Sequence, residues 1–356
     1  MSNRWVREAK RKNASAPEEE EPQELLRLVR PLGQGEAFAR WTKAARRLDL
    51  PHGICIEGAP GSGKTTMVQW LTAALLCPSD IDDSEPCGMC RTCTRIANNL
   101  HPDVQVLERA REEGDQKSGD VKRSFYRLTV DQVRNAEEQL QRHAIEGRAR
   151  VCCIAEADHL ADEGQNALLK TLEEPGDATF LLLEASRPEQ LLPTVRSRIQ
   201  RLRVLPLSDE ALRKELHRRI PEESSRFDGI VGLARGSLGQ ALRAATEQAV
   251  QLHDLVRAWL GEAHNLRPIA TARQALEGAS ERRLELQQAR LFLWLLRSEL
   301  RRHRDTLVEA ADASYPASSL EPWTTWLERT LQAERDLDLM IPPEQALVAC
   351  LVELSR

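Results

Sequence analysis

Apolar positions along this chain fall into two regimes. Between residues 53 and 205, short apolar runs recur at Gly53–Glu57, Val104–Leu107, Val151–Ala155, Phe180–Leu183 and Leu202–Leu205, separated by stretches with helical spacing. Alternating strands and helices predict an α/β core, a parallel sheet with helices on both faces. After Pro206 the strand signals stop. Helical periodicity then covers Asp209–Arg219, Leu238–Val250, Glu281–Arg301, Pro322–Leu337 and Pro343–Leu354, with a turn-rich break at Gly261–Pro268. Residues 1–21 pair basic residues with the acidic run Glu18–Glu21 and hold too few apolar side chains to bury anything, so a disordered tail is expected. The expected organisation is a tail at 1–21, a core at 22–205, and all-α domains at 206–262 and 263–356.

Composition narrows the chemistry. The 356 residues carry 50 Lys and Arg against 55 Asp and Glu, a net charge of -5, which excludes a generally basic nucleic-acid binder. Aromatics are only 4%, so the core must be built from aliphatic side chains. No apolar run approaches the roughly 20 residues of a membrane helix, and the first residues lack an apolar signal region. A cytoplasmic location without a membrane partner is expected. The run Arg297, Arg301, Arg302 and Arg304 reads as a solvated helix face.

Gly58-Ala59-Pro60-Gly61-Ser62-Gly63-Lys64-Thr65 fits the G-x-x-x-x-G-K-[ST] phosphate loop, between a strand and a helix beginning near Thr65, with Thr66 next. Glycines let backbone N–H groups converge on a phosphate, and the helix N-terminus adds a favourable field. Lys64 would reach the outer phosphates of ATP or ADP, and the Thr65 hydroxyl would sit on Mg²⁺. Hydrolysis further requires a metal carboxylate, ordinarily the Asp ending a neighbouring apolar strand. In Val151-Cys-Cys-Ile-Ala155-Glu156-Ala157-Asp158 that position is Ala155, while Glu156 is kept. If the strand continued, Asp158 could share the side of Glu156. Weak or absent hydrolysis is expected.

Cys77, Cys87, Cys90 and Cys93 are four of the eight cysteines, spaced C-x9-C-x2-C-x2-C. Four thiolates make a closed tetrahedral set that suits structural Zn²⁺ and leaves no position for a catalytic water. An iron–sulfur cluster is the smaller alternative. Cys55, Cys152, Cys153 and Cys350 lie in apolar runs and are expected to be buried thiols.

The phosphate loop, the cysteine insert after its helix, His101-Pro102-Asp103, Asn166-Ala-Leu-Leu-Lys-Thr-Leu-Glu-Glu-Pro175 and Leu192-Pro-Thr-Val-Arg-Ser-Arg198 occur in an order that resembles the AAA+ clamp-loader family of bacterial DNA polymerase III. The resemblance covers about residues 30 to 245. It implies a P-loop core, a helical lid at 206–262 and a collar at 263–356. It also implies a heteropentamer with tau/gamma and delta subunits that loads the sliding β clamp on primed DNA in replication. The motor subunits of that family carry an arginine where this chain has Gly239, within Gly236-Ser-Leu-Gly-Gln-Ala-Leu242. With Ala155, this departure points to the non-motor, delta-prime type. Ser197-Arg198-Ile199 resembles the family's Ser-Arg-Cys motif, which implies that Arg198 acts as an arginine finger in the adjacent subunit's site, with Glu156 vestigial or weak. The alternatives are a tau/gamma-like ATPase and a purely structural adaptor.

Overall fold

The computed structural model describes residues 26–79, 84–108, 110–113, 124–140, 142–261, 267–310 and 321–355; the expected tail at 1–21 lies outside them. The first part of the chain runs α1 (Gly35–Arg46), β1 (Gly53–Glu57), α2 (Lys64–Leu76), α3 (Arg91–Ala97), β2 (Val104–Leu107) and the hairpin β3 (Ala110–Glu113) and β4 (Ser124–Arg127). It continues with α4 (Val130–Leu140), β5 (Arg150–Ile154), α5 (Asp162–Glu173), β6 (Thr179–Ala185), the single turn α6 (Pro193–Arg196) and β7 (Gln200–Arg203). Strands β2-β5-β6-β1-β7 form one parallel sheet in that order.

Side-chain alternation divides the core cleanly. Ile54 and Ile56 of β1, Val151 and Cys153 of β5, and Phe180 and Leu182 of β6 pack with Val68, Leu71 and Leu75 of α2. The intervening Cys55, Cys152, Ile154, Leu181 and Leu183 pack on the opposite face with Val133 of α4 and Leu168 of α5. A sheet buried on both faces explains why these strands read as continuous apolar runs. Cys55, Cys152, Cys153 and Cys350 are all buried. Burial pushes the thiols of Cys55, Cys153 and Cys350 up to about 12, so they behave as apolar packing.

The helical part follows as α7 (Asp209–Arg219), α8 (Phe227–Ala234), α9 (Leu238–Ala244), α10 (Glu247–Gly261), α11 (Pro268–Ala275), α12 (Arg282–Ala310), α13 (Glu321–Asp338) and α14 (Pro343–Leu354). The continuous helix expected over Leu238–Val250 is instead two, because the Thr246 hydroxyl accepts the Ala249 N–H at 3.2 Å and starts α10. Leu252, Val256 and Trp259 of α10 share a core with Phe292, Leu296 and Leu347 of the terminal bundle, whereas α7 to α9 form their own cluster. Arg297 is not on a solvated face: its guanidinium bonds Thr330 and, at 2.8 Å, Glu334, tying α12 to α13. Asp338 accepts Arg187 from the loop after β6 at 3.0 Å and Arg290 at 2.8 Å, so the bundle is ion-paired to the sheet's C-terminal edge. No helix among the described residues is long and apolar enough to cross a membrane.

His101-Pro-Asp103 is an architectural corner. Asp103 accepts the N–H groups of Ile145, Glu146 and Gly147 at 2.5, 2.9 and 2.7 Å, fixing the turn into β5. Burial alone would raise the Asp103 pKa, but these three donors outweigh it and hold the carboxyl below its ordinary value. The resulting stabilisation is complete above an unfolded pKa of about 3.9 and is lost as pH falls through the lower folded value. Asp103→Asn, which offers one oxygen to three donors, should cost about 2 kcal/mol in urea unfolding at pH 7 and flatten the decline toward pH 3. An equal loss at both pH values would contradict this account.

Candidate functional site

The loop Gly58–Gly63 leaves β1 at the C-terminal edge of the sheet and delivers Lys64 to the first position of α2. Gly61 and Gly63 have φ of 72° and 99°, values that favour glycine and turn successive backbone N–H groups inward. A Cβ on Gly58 would lie 2.8 Å from Ser62 Oγ. The Ser62 hydroxyl is itself buried and has no hydrogen-bond partner among the described residues. Lys64 is buried and its Nζ donates to Gly58 O at 3.0 Å, Ala59 O at 3.1 Å and Ser186 Oγ at 2.9 Å. Burial lowers its pKa, opposed by the carboxylates of Glu184, Asp158 and Glu156. These groups fit an outer phosphate: convergent N–H donors, an unpartnered hydroxyl and a cation already aimed at the loop.

The strand of Ala155 and Glu156 ends earlier than the sequence reading allowed. β5 stops at Ile154, and Glu156 adopts a left-handed φ of 49° on the exposed side of the turn. Asp158 therefore does not continue the strand beside Glu156. It is buried, and its Oδ2 accepts the N–H groups of Ser186 and Arg187 at 3.2 and 2.9 Å. That carboxylate is committed to the turn after β6. The group that sequence reasoning missed is Glu184, buried in β6, whose Oε2 accepts the Thr65 hydroxyl at 2.9 Å. Burial raises its pKa, while the Thr65 bond and Lys64 act in the opposite direction. An acidic residue interrupting Thr179–Ala185 was the available signal.

Gly239 explains itself sterically. Its N–H donates to Gly61 O at 2.9 Å, and Ser237 Oγ donates to Pro60 O at 3.0 Å, seating the start of α9 on the tip of the phosphate loop. A Cβ at Gly239 would stand 2.8 Å from Gly61 Cα. No side chain fits between the two backbones, so the absence of an arginine here is the condition for the docked helix.

At the other edge of the sheet, the Arg198 carbonyl packs near Gly53, the first residue of β1. Five strand steps of about 3.3 Å separate Gly53 from Gly58, so Arg198 lies roughly 16 Å along the strand from its own phosphate loop. The guanidinium is partly exposed, pairs with Glu173 at 2.6 Å and donates to Thr194 O at 2.9 Å.

The four cysteines meet at the end of α2 and the start of α3. Their sulfurs lie within 4.8 Å of one another, with Cys77–Cys87 at 3.7 Å, Cys77–Cys90 at 3.9 Å and Cys87–Cys93 at 4.0 Å. A tetrahedron with Zn–S bonds near 2.3 Å has edges of about 3.8 Å, so this set matches a zinc cage and is too wide for disulfides. Backbone N–H groups of Cys90 and Cys93 point at the sulfurs of Cys87 and Cys90. Burial raises the Cys87 thiol, but the N–H donors of Met89 and Cys90 prevail and set it at about 6. Arg46 braces the approach, donating to Cys77 O and Ser79 O.

Residues 33–208 match the family model described as DNA polymerase III, delta subunit. The chain is 34% identical over 191 residues to the DNA polymerase III subunit delta' of Escherichia coli (strain K12), covering 54% of this chain and 53% of that protein. It is 32% identical over 222 residues to the Pseudomonas aeruginosa subunit delta', covering 60% and 63%. It is also 28% identical over 248 residues to the Escherichia coli subunit tau, covering 67% of this chain and 36% of tau. The chain thus spans between half and two-thirds of these two delta' subunits.

The docked α9 makes a direct prediction. Gly239→Arg should not add a phosphate sensor but lift α9 from the loop, costing about 1–3 kcal/mol of stability and speeding amide exchange at residues 58–63. Unchanged exchange would contradict the contact.

Proposed function

We propose, from the premise that this chain resembles the delta-prime subunit of bacterial DNA polymerase III, that it works as the corresponding subunit of a clamp loader. In this reading it sits in a heteropentamer with tau/gamma and delta subunits, and the assembly opens the sliding β clamp and places it on primed DNA. The observation that carries the non-motor assignment is an intact phosphate loop with Gly239 seated directly on it, where a motor would carry an arginine. Gly58 to Thr66 would hold ATP or ADP, with Lys64 on the outer phosphates and Thr65 on Mg²⁺, which neutralises phosphate charge when bound. Ala155 stands where a metal-holding Asp would end the strand, and the chain turns left-handed at Glu156, so the chain's own turnover is weak or absent.

Arg198 is proposed to act in trans. Its remoteness from its own loop favours this reading, and Glu173 would hold the guanidinium ready at the subunit edge. An arginine finger stabilises charge developing on the transferred phosphoryl group, an effect worth about 10³ to 10⁵ in rate. In a reconstituted loader, Arg198→Ala should reduce clamp- and DNA-stimulated ATPase strongly while leaving nucleotide binding by the isolated chain unchanged. An unaltered loader rate would sink the finger.

The cysteine set is proposed to bind one structural Zn²⁺. Elemental analysis should find one zinc per chain, and chelation or Cys90→Ser should lower the unfolding temperature markedly, because metal binding here is folding free energy. Iron in place of zinc, or an unchanged melt, would contradict it.

A further inference from the structure

Glu184 is an expensive residue to place in a sheet. It is 7% exposed, and Thr65 is the hydrogen-bond partner it has among the described residues. A neutral acceptor would anchor the Thr65 hydroxyl equally well without a charge to bury. What distinguishes a carboxylate is its use to a cation.

Strand parity shows which side it serves. Phe180 and Leu182 of β6, and Val151 and Cys153 of β5, belong to the face covered by α2. Glu184 continues the first series and Ala155 the second. The paired residues Ile154 and Leu183 immediately precede Ala155 and Glu184, which puts these two side by side across parallel strands. Both line a cavity of about 70 Å³ together with Thr65. The carboxylate missing from β5 is thus present one strand away, at the same level and on the same face. The single hydroxyl hydrogen of Thr65 is committed to Glu184, which leaves its oxygen lone pairs for a cation.

We infer that Glu184 takes over from β6 the metal-facing role that Ala155 cannot fill on β5, so that Thr65 and Glu184 together hold the divalent cation of a bound nucleotide. This inference rests on the nucleotide reading of the phosphate loop. It separates metal-nucleotide binding from hydrolysis, because the cation can be held while the group that orients water remains displaced at Glu156.

The test is the affinity of the full chain for a fluorescent ATP analogue, with Mg²⁺ and with EDTA. In Glu184→Gln, affinity in EDTA should not weaken, because a negative charge is removed from beside the phosphate site, whereas the gain given by Mg²⁺ should fall about tenfold or more. Adding Ala155→Asp to that variant should restore the gain. Independently of any variant, Mn²⁺·ATP bound to chain labelled with ¹³C-glutamate should show a glutamate carboxyl coupling by electron–nuclear double resonance. Glu184→Gln with the full Mg²⁺ gain, or no glutamate coupling, would overturn the role of Glu184 and leave nucleotide binding standing. No binding by the unaltered chain in either condition would overturn both.

Discussion

The contact between the Gly61 and Gly239 backbones organises the candidate site. It is possible only because both positions lack a side chain, and it brings the start of α9 onto the loop that would carry phosphates. With the Ser237–Pro60 bond it seats the helical cluster α7–α9 on the phosphate loop. The absence of a side chain at 239 and the docking of α9 are therefore one fact described twice.

Around this fixture the rest of the sheet distributes its charges by parity. Lys64, Thr65 and Glu184 converge on the α2 face, while Asp158 is drawn away to cap the turn at Ser186 and Arg187. Arg187 in turn pairs with Asp338 at the end of α13, so the loop beside Lys64 is joined to the terminal bundle. Ser186 bonds Lys64 and its neighbour Arg187 bonds the bundle, so one hydrogen bond, one peptide link and one ion pair join the candidate site to the remote helices. Arg198 faces the opposite edge. One sheet thus carries the phosphate-loop motif at one end and the partly exposed Arg198, paired with Glu173, at the other.

Much of this was legible in the residues. The phosphate loop and the Cys77–Cys93 spacing are local patterns whose geometry follows from a turn or two of chain, and both appear where the sequence placed them. The strands Gly53–Glu57 and Val104–Leu107 and the helices Asp209–Arg219 and Pro343–Leu354 have the limits their periodicity implied. What could not be read depended on contacts across the sheet or between domains. Glu184 matters because β6 lies beside β5, and neither strand order nor facing side is written in a run of apolar residues. Asp158 looked available until the chain turned left-handed at Glu156. Thr246 breaks a helix that periodicity alone would continue, and only packing shows that α10 belongs with the terminal bundle.

In the proposed role this chain holds nucleotide without acting as its own motor. Quench-flow measurement of ATP turnover by the isolated full chain, in parallel with equilibrium ATP binding, tests it directly. Binding should be saturable and abolished by Lys64→Ala, with turnover no faster than that of this loop-disabled variant. Steady turnover by the isolated chain that disappears with Lys64→Ala would contradict it.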